Sequence, residues 1–311
     1  LVVDGISESP YRADVAVDGN QISKVGVVSE ESLQVIDAGD CVVTPGFIDL
    51  HTHLDAQIGW DPMLTPLSWH GVTTAILGNC GVTFAPCKPQ DREFLASMME
   101  TVEDIPRDAI LEGLAWNWES YGEYLNALES LSPVINVGGM VGHCAVRFYV
   151  MGERGIDQDA SAQEIEQIAM VVEDAIKSGA VGFSTSRNPG HRIPDGRSVP
   201  GTFATEDELL AIAKVVGQQG GLMQSVMNMS SVDDEMALLK LEASKARVLF
   251  SHYTGGTTSF GDKIEAQVDS MRREGLDVSA MVIPRASGFV AGLEVYPPWR
   301  GGPWDELLPM A

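Results

Sequence analysis

The chain has 311 residues, of which 44% are hydrophobic and 21% are charged, and its mean hydropathy is +0.03. This apolar content excludes a long disordered or low-complexity chain and is enough for a large core. Acidic residues outnumber basic ones by 44 to 20. The resulting net charge of −24 repels phosphate backbones and anionic lipids, so we expect neither a nucleic-acid nor a membrane partner.

The cysteine content and the chain ends set further expectations. No segment approaches the roughly 18 apolar residues that a membrane-spanning helix needs. The four cysteines, Cys41, Cys80, Cys87 and Cys144, fit neither a disulfide framework nor a zinc-ribbon spacing, so we expect a reduced, cytoplasmic protein. The sequence begins without a methionine or a signal peptide and ends in no recognisable helix or strand, and we expect both ends to be cut.

The first 45 residues predict short strands and turns. Residues 13–17 and 21–26 alternate in polarity around the hairpin-type turn at 18–20, and a further strand is predicted at 34–37. A unit this small cannot bury a core alone, so its strands must pair with another part of the protein.

After Pro45 the pattern changes to alternating strands and helices. The seven predicted apolar strands are residues 47–50, 72–77, 134–141, 180–184, 221–226, 247–251 and 276–283. The predicted helices are residues 90–102, a helix that opens at Ser161, and residues 205–218, 233–246 and 262–274. Two of these helices begin with capping-box spacing, Ser161 with Glu164 and Thr205 with Glu208.

Near-continuous apolar strands separated by helices indicate an α/β protein whose parallel sheet is covered on both faces. A doubly wound sheet is the alternative, but seven units of similar period favour a TIM (β/α)₈-type barrel. Residues 287–311 are rich in proline and glycine and contain no evident eighth strand, so we expect the barrel to be truncated before strand 8. The predicted division is an N-terminal β unit, 1–45, followed by an incomplete barrel, 46–311.

Candidate metal ligands follow the predicted strands. His51 and His53 come directly after the first barrel strand, and residues two apart on a strand face the same side. Cys80 follows the second strand between Gly78 and Gly81, and His252 closes the sixth. Because barrel active sites lie at the C-terminal ends of the strands, this placement favours a metal site. Taken alone, Cys80 fits a buried structural cysteine equally well.

These motifs resemble those of a known family. Residues 42–55, Val-Val-Thr-Pro-Gly-Phe-Ile-Asp-Leu-His-Thr-His-Leu-Asp, resemble the opening of the metal-dependent amidohydrolase superfamily. Gly78-Asn79-Cys80-Gly81 and Gly142-His143 narrow the resemblance to the D-aminoacylase, or N-acyl-D-amino-acid deacylase, branch. The resemblance covers essentially the whole chain. It implies a β-sandwich that includes residues 1–45, and a catalytic Asp beyond residue 311.

The same resemblance implies a zinc site with His51, His53, Cys80 and His252 as ligands. The chain departs from the family at the fifth strand, where Gln224 and its neighbours replace a ligating histidine. Where the family commonly has a lysine two residues after the sixth-strand histidine, this chain has Thr254. We therefore expect one tightly bound zinc ion and no firm second site.

The leading hypothesis is a zinc-dependent hydrolase of linear amide C–N bonds whose small-molecule substrate is an N-acyl-D-amino acid. Arg147, Arg187 and Arg192 lie in loops after predicted strands and are candidates to bind the substrate carboxylate. His143 follows the third strand and is a candidate catalytic residue that faces the substrate or orients a ligand and does not itself bind the metal.

Two alternatives remain. One is a cyclic-amide hydrolase of the hydantoinase type. The absence of a lysine from residues 180–186 argues against it, because those enzymes carry a carboxylated lysine on the fourth strand. The other is a catalytically inactive barrel, which the missing fifth-strand histidine would explain. The oligomeric state does not follow from the sequence.

Overall fold

A parallel seven-stranded sheet forms the centre of the computed structural model, which describes residues 1–251 and 258–282. Its strands are β3 (Phe47–Asp49), β4 (Val72–Leu77), β5 (Asn136–Gly142), β6 (Gly182–Ser186), β7 (Leu222–Val226), β8 (Arg247–Ser251) and β9 (Val278–Met281). They lie side by side in chain order, and each neighbouring pair is parallel. The predicted α/β architecture with a parallel sheet is confirmed, and all seven predicted strands are present.

Helices connect the strands, as a parallel sheet requires. They are α1 (Arg92–Glu103), α2 (Arg107–Gly113), α3 (Tyr121–Ser130), α4 (His143–Met151), α5 (Ala162–Lys177), α6 (Glu206–Gln218), α7 (Val232–Ala243) and α8 (Thr258–Arg273). The predicted capping box of α5 is confirmed. Ser161 Oγ accepts from the backbone N–H of Glu164, and the Glu164 carboxylate accepts from the backbone N–H of Ser161. None of the helices among the described residues is long and apolar enough to cross a bilayer.

Three of these helices, α2, α3 and α4, were not predicted from the sequence. The α4 helix matters most for the site, because His143 is its first residue and does not lie in a loop. Its apolar residues surround the whole helix circumference, and seven of its nine residues are buried. A helix buried on all sides lacks the one-sided periodicity by which a surface helix is recognised in a sequence.

The N-terminal residues form a separate two-stranded sheet. In this hairpin, β1 (Asp14–Asp18) pairs antiparallel with β2 (Gln21–Gly26), as predicted. The strand predicted at 34–37 is absent from the described structure, where Val35 is 83% and Ile36 81% exposed. A strand needs a neighbour for its backbone hydrogen bonds, and no described strand lies beside these residues.

The beginning of α6 differs in one respect from its predicted capping box. Thr205 Oγ1 accepts from the backbone N–H of Glu208 at 3.4 Å, as the spacing predicts. The Glu208 side chain does not return to the helix terminus. It points into the interior, where it pairs with the Arg147 guanidinium. A buried cation needs a carboxylate partner more than the helix end needs a second cap, because the helix end can be solvated.

The α7 helix contains a buried carboxyl group with no hydrogen-bond partner among the described residues. Glu242 is fully buried, and neither of its carboxyl oxygens is hydrogen-bonded. Burial is the main cause that raises its pKa from 4.5 to about 8; Arg187 opposes this shift and Glu235 adds to it. The folded protein therefore retains a proton on Glu242 at neutral pH.

We expect Glu242→Gln to stabilise the protein at alkaline pH and not at acidic pH. Between pH 4.5 and about 8 the unfolded chain releases a proton that folded Glu242 retains, so stability falls as pH rises through this window. Removing the ionisable group should raise the free energy of unfolding by about 1–3 kcal/mol at pH 9 and leave it nearly unchanged at pH 4.5. Urea unfolding at the two pH values measures the difference. Glu112→Gln, which alters an exposed carboxylate, is the control. An equal gain at both pH values would contradict the assignment.

Candidate metal centre

Two imidazoles and one thiol converge at the carboxyl ends of β3 and β4. His51 Nε2 lies 3.1 Å from Cys80 Sγ, His53 Nε2 lies 3.3 Å from His51 Nε2, and Cys80 Sγ lies 3.4 Å from His53 Nε2. Ligands of tetrahedral zinc lie about 2.0–2.3 Å from the metal, and therefore about 3.3–3.8 Å from one another. Two of the three separations fall in this range and the third, 3.1 Å, lies slightly below it, so the donor atoms are spaced close to three corners of a zinc tetrahedron, and their residue types fit the metal.

The backbone around Cys80 adopts a conformation that few sequences permit. Gly78 has φ of +73°, and a Cβ there would lie 2.0 Å from the carbonyl oxygen of Met140. Cys80 itself has φ of +56°, which costs a non-glycine residue about 1–3 kcal/mol. Ser184 on β6 stabilises this turn from across the sheet, because its hydroxyl donates to the Gly78 carbonyl and accepts from the Gly81 N–H.

The loop that carries the histidines is joined to the Cys80 turn. Thr52, between the two histidines, donates both its backbone N–H (3.2 Å) and its hydroxyl (2.8 Å) to the carbonyl of Ile76. The Asn79 amide donates to the same carbonyl at 2.9 Å and to the Thr52 carbonyl at 3.3 Å. These bonds hold the two ligand-bearing loops at a fixed separation.

Burial sets the protonation states of the three donors. It lowers the pKa of His51, and together with repulsion from His51 and His191 it lowers the pKa of His53 to about 3. Both imidazoles are therefore neutral at pH 7, which is the form that binds metals. Burial and the nearby Glu103 carboxyl raise the pKa of the Cys80 thiol well above its usual value. A bound cation would reverse that shift and hold the sulfur as a thiolate.

Two further side chains, Glu103 and His191, border the metal centre. Neither was predicted from the sequence to be part of this site. Glu103, the last residue of α1, places Oε1 3.3 Å from His53 Nε2, and burial raises the pKa of this carboxyl to about 8. His191 lies close enough to His51 that repulsion adds to burial in lowering its pKa to about 4. Its Nδ1 is 2.9 Å from Ser186 Oγ. No local spacing links Glu103 to the histidines, so only the fold reveals it.

His143 and Arg147 lie in a buried network away from the three ligands. Both ring nitrogens of His143 are engaged, Nδ1 with Thr185 Oγ1 and Nε2 with Glu208 Oε1, each at 2.8 Å. Arg147 pairs with Glu208 and donates to the carbonyls of Gly155 and Gln158. The fold buries both residues and engages their polar atoms within the protein, and the predicted roles of His143 and Arg147 toward a substrate stay predictions.

The other two arginine candidates differ in their surroundings. Arg187 Nε donates to both carboxylate oxygens of Glu235, at 2.9 and 3.1 Å. Arg192 is exposed in the loop after β6, where one of its amino groups donates to the Gly196 carbonyl. Among the described residues, no carboxylate forms an ion pair with Arg192. The predicted ligand His252 lies outside the described residues.

Comparison with known proteins identifies the family. A model described as Amidohydrolase family matches residues 34–280. The chain belongs to this family. It is similar to D-aminoacylase (29% identical over 266 residues, 84% of this chain and 50% of the relative) and to N-acyl-D-glutamate deacylase (30% over 291 residues, 91% and 55%), both from Alcaligenes xylosoxydans xylosoxydans. The chain spans about half the length of these curated relatives.

Comparison with a solved structure supports the same family assignment. The N-acyl-D-glutamate deacylase of Bordetella bronchiseptica, complexed with zinc and a phosphonate mimic of the tetrahedral intermediate, superimposes with a TM-score of 0.74 at 25% identity. The superposition covers 91% of this chain and 57% of that one. The resemblance to the D-aminoacylase-like branch of the amidohydrolases is therefore confirmed, and the likeness to a zinc-containing relative supports a metal centre here.

We expect Cys80→Ala to lose most of the tightly bound zinc, because it removes the only charged donor that the three-residue set can offer. Elemental analysis of purified protein after dialysis measures the zinc content. Cys41→Ala, which removes an exposed cysteine of the N-terminal region, is the control and should retain the parent's zinc. Equal zinc in Cys80→Ala and the parent would show that Cys80 is not a ligand.

Proposed function

We propose that this protein is a zinc-dependent hydrolase of non-peptide C–N bonds in linear amides, and that its substrates are N-acyl-D-amino acids. The convergence of His51 Nε2, His53 Nε2 and Cys80 Sγ within 3.4 Å of one another carries the proposal. Similarity to two deacylases of N-acyl-D-amino acids supports the choice of substrate class.

In the proposed reaction, the metal would activate the reactants and the protein would position the metal. Zinc held by these donors would act as a Lewis acid that polarises the scissile carbonyl and activates water near neutral pH. The two neutral imidazoles and the thiolate would hold the ion. Thr52, Asn79 and Ser184 keep the donor atoms in place through the hydrogen bonds that join the two loops.

We propose one tight zinc ion per chain, with His252 as a further ligand. His252 directly follows Ser251 in the sequence, and Ser251 ends β8 at the carboxyl edge of the sheet, where His51 and Cys80 also lie. The fifth barrel strand, β7, offers the neutral amide of Gln224 in place of an imidazole. Amide oxygen is a weaker zinc ligand than imidazole nitrogen, which supports a single tight site.

We propose that Arg192 binds the substrate carboxylate. An anionic substrate needs a local cation in a chain whose net charge is −24. Arg147 and Arg187 are already paired with Glu208 and Glu235, whereas Arg192 forms no ion pair with a described carboxylate and lies on the loop that also carries His191. A guanidinium can bind a carboxylate through two parallel hydrogen bonds.

We propose that residues 1–45 form part of a β-sandwich beside the barrel. Hydrophobic side chains of this region are exposed, including Val17, Ile22 and Val25 of the hairpin. Exposed apolar residues on a two-stranded sheet indicate a surface that another sheet covers. This division at residue 45 follows the resemblance to the family.

The zinc-loaded full-length protein should hydrolyse N-acetyl-D-amino acids and release acetate. It should act poorly on hydantoins, since β6 contains no lysine for a carboxylated ligand. Chelation of the metal should abolish activity, and one equivalent of zinc should restore it. A zinc-loaded protein that cleaves hydantoin and not the linear amide would favour the cyclic-amide alternative. A protein that binds no zinc would favour the inactive barrel.

Arg192→Ala should raise the KM for an N-acetyl-D-amino acid by about ten- to a hundredfold, because it removes a charge-assisted pair of hydrogen bonds to the substrate. The effect should shrink for the corresponding amino-acid amide, which carries no carboxylate. Steady-state kinetics on the two substrates measures this contrast. Arg107→Ala, at an exposed arginine that pairs with its neighbour Asp108 on α2, is the control. An unchanged KM in Arg192→Ala would refute this role.

A further inference from the structure

A polar chain leads from the interior of the sheet to the ring of His51. Ser251 Oγ, at the end of β8, lies 3.2 Å from His51 Nδ1. The Gln224 amide on β7 donates to the same Ser251 oxygen, also at 3.2 Å. Gln224 pairs with Leu249 across the two strands, and Ser251 lies two residues further on, so both side chains face the same side of the sheet.

The contact of Ser251 with His51 Nδ1 bears on which nitrogen of His51 is available to a metal. A neutral imidazole carries one proton, and the nitrogen without it holds the lone pair that binds the ion. Because His51 Nε2 faces Cys80 at 3.1 Å, metal binding requires the proton on Nδ1. Ser251 lies where it can accept that proton in a hydrogen bond, and an outer hydrogen bond of this kind fixes the orientation of a ligating histidine.

Gln224 gives Ser251 its fixed position. The Gln224 side chain is completely buried, so water cannot take its place as a hydrogen-bond donor to Ser251. Its bond to Ser251 Oγ favours one of the three staggered positions that the hydroxyl could otherwise occupy about the Cα–Cβ bond. Its amide oxygen has no hydrogen-bond partner among the described residues, although it is buried, which is a cost that an ordinary core position would avoid by being apolar.

We propose that Gln224 and Ser251 form a positioning relay that holds His51 in the Nδ1–H tautomer with Nε2 toward Cys80. Neither residue touches the metal in this arrangement. The inference rests on the proposed metal centre, because it assigns a function to the tautomer that metal binding requires.

Two measurements on the full-length protein test the relay. Histidine ¹⁵N NMR of the metal-free protein reports the tautomer directly, and competition with a chelator reports cobalt and zinc affinity. In the parent, His51 should be in the Nδ1–H form. In Gln224→Leu and Ser251→Ala the two tautomers should mix, and the affinity for each metal should fall by about ten- to a hundredfold. Ser251→Thr keeps the hydroxyl and should restore both readouts.

The controls separate the relay from a general packing effect. Ser225→Ala changes a buried residue on the opposite face of β7 and should alter neither the tautomer nor the affinity. The double variant Gln224→Leu/Ser251→Ala should bind metal no more weakly than Ser251→Ala alone, because the relay acts through one hydroxyl. If Gln224→Leu does not fold, Ser251→Ala and Ser251→Thr carry the test.

The outcomes distinguish this inference from the proposed function. Unchanged tautomer and affinity in Ser251→Ala would overturn the relay and leave the metal centre intact. A parent protein that binds no metal would overturn the proposed function, and the tautomer measurement would still decide whether Ser251 and Gln224 position His51.

Discussion

The close approach of three electron-rich atoms is the constraint on which the rest of this structure depends. Two imidazole nitrogens and a sulfur lie 3.1 to 3.4 Å from one another in a largely buried site. Lone pairs at that separation repel unless a proton or a cation lies between them. The backbone of Cys80 adds its own cost, because a cysteine is held in the left-handed region. Neither feature would persist without surrounding structure that enforces it.

The sheet supplies that enforcement through polar side chains at its carboxyl edge. Asn79 joins the two ligand loops, Ser184 fixes the cysteine turn, and Ser251 holds the ring of His51. Asn79 comes from the turn after β4, Ser184 from the middle of β6 and Ser251 from the end of β8. A parallel sheet brings the carboxyl ends of all these strands to one side. Below this polar edge, the sheet and its helices enclose an apolar core whose largest buried side chains include Phe183 and Phe250. The core makes the sheet rigid, and its carboxyl edge carries the candidate metal ligands and the polar side chains that hold them.

Ionisable groups in the interior differ in whether they have a partner of opposite charge. Arg147, Glu208 and His143 form a compact network in which each charge has a partner, and such pairing is what makes buried charge tolerable. At the metal centre, by contrast, the ionisable groups lack such partners among the described residues. Burial keeps the imidazoles neutral and disfavours the thiolate, with no lysine or arginine ion-paired to Glu103 among the described residues. That local shortage of positive charge is what a divalent cation would satisfy.

Local sequence patterns determined the positions of the strands, the His51–His53 pair directly after a strand and the Cys80 turn between glycines, because those features depend on period and on residues close in the chain. The partners of Glu208 and the approach of Glu103 to His53 were decided only by tertiary structure. So was the link from Gln224 through Ser251 to His51, which joins residues 27 and 200 positions apart in the chain. The failure of residues 34–37 to form a strand has the same cause. A hydrogen bond between distant segments, or the lack of a neighbouring strand, leaves no periodic signal in a sequence and arises only when the chain folds.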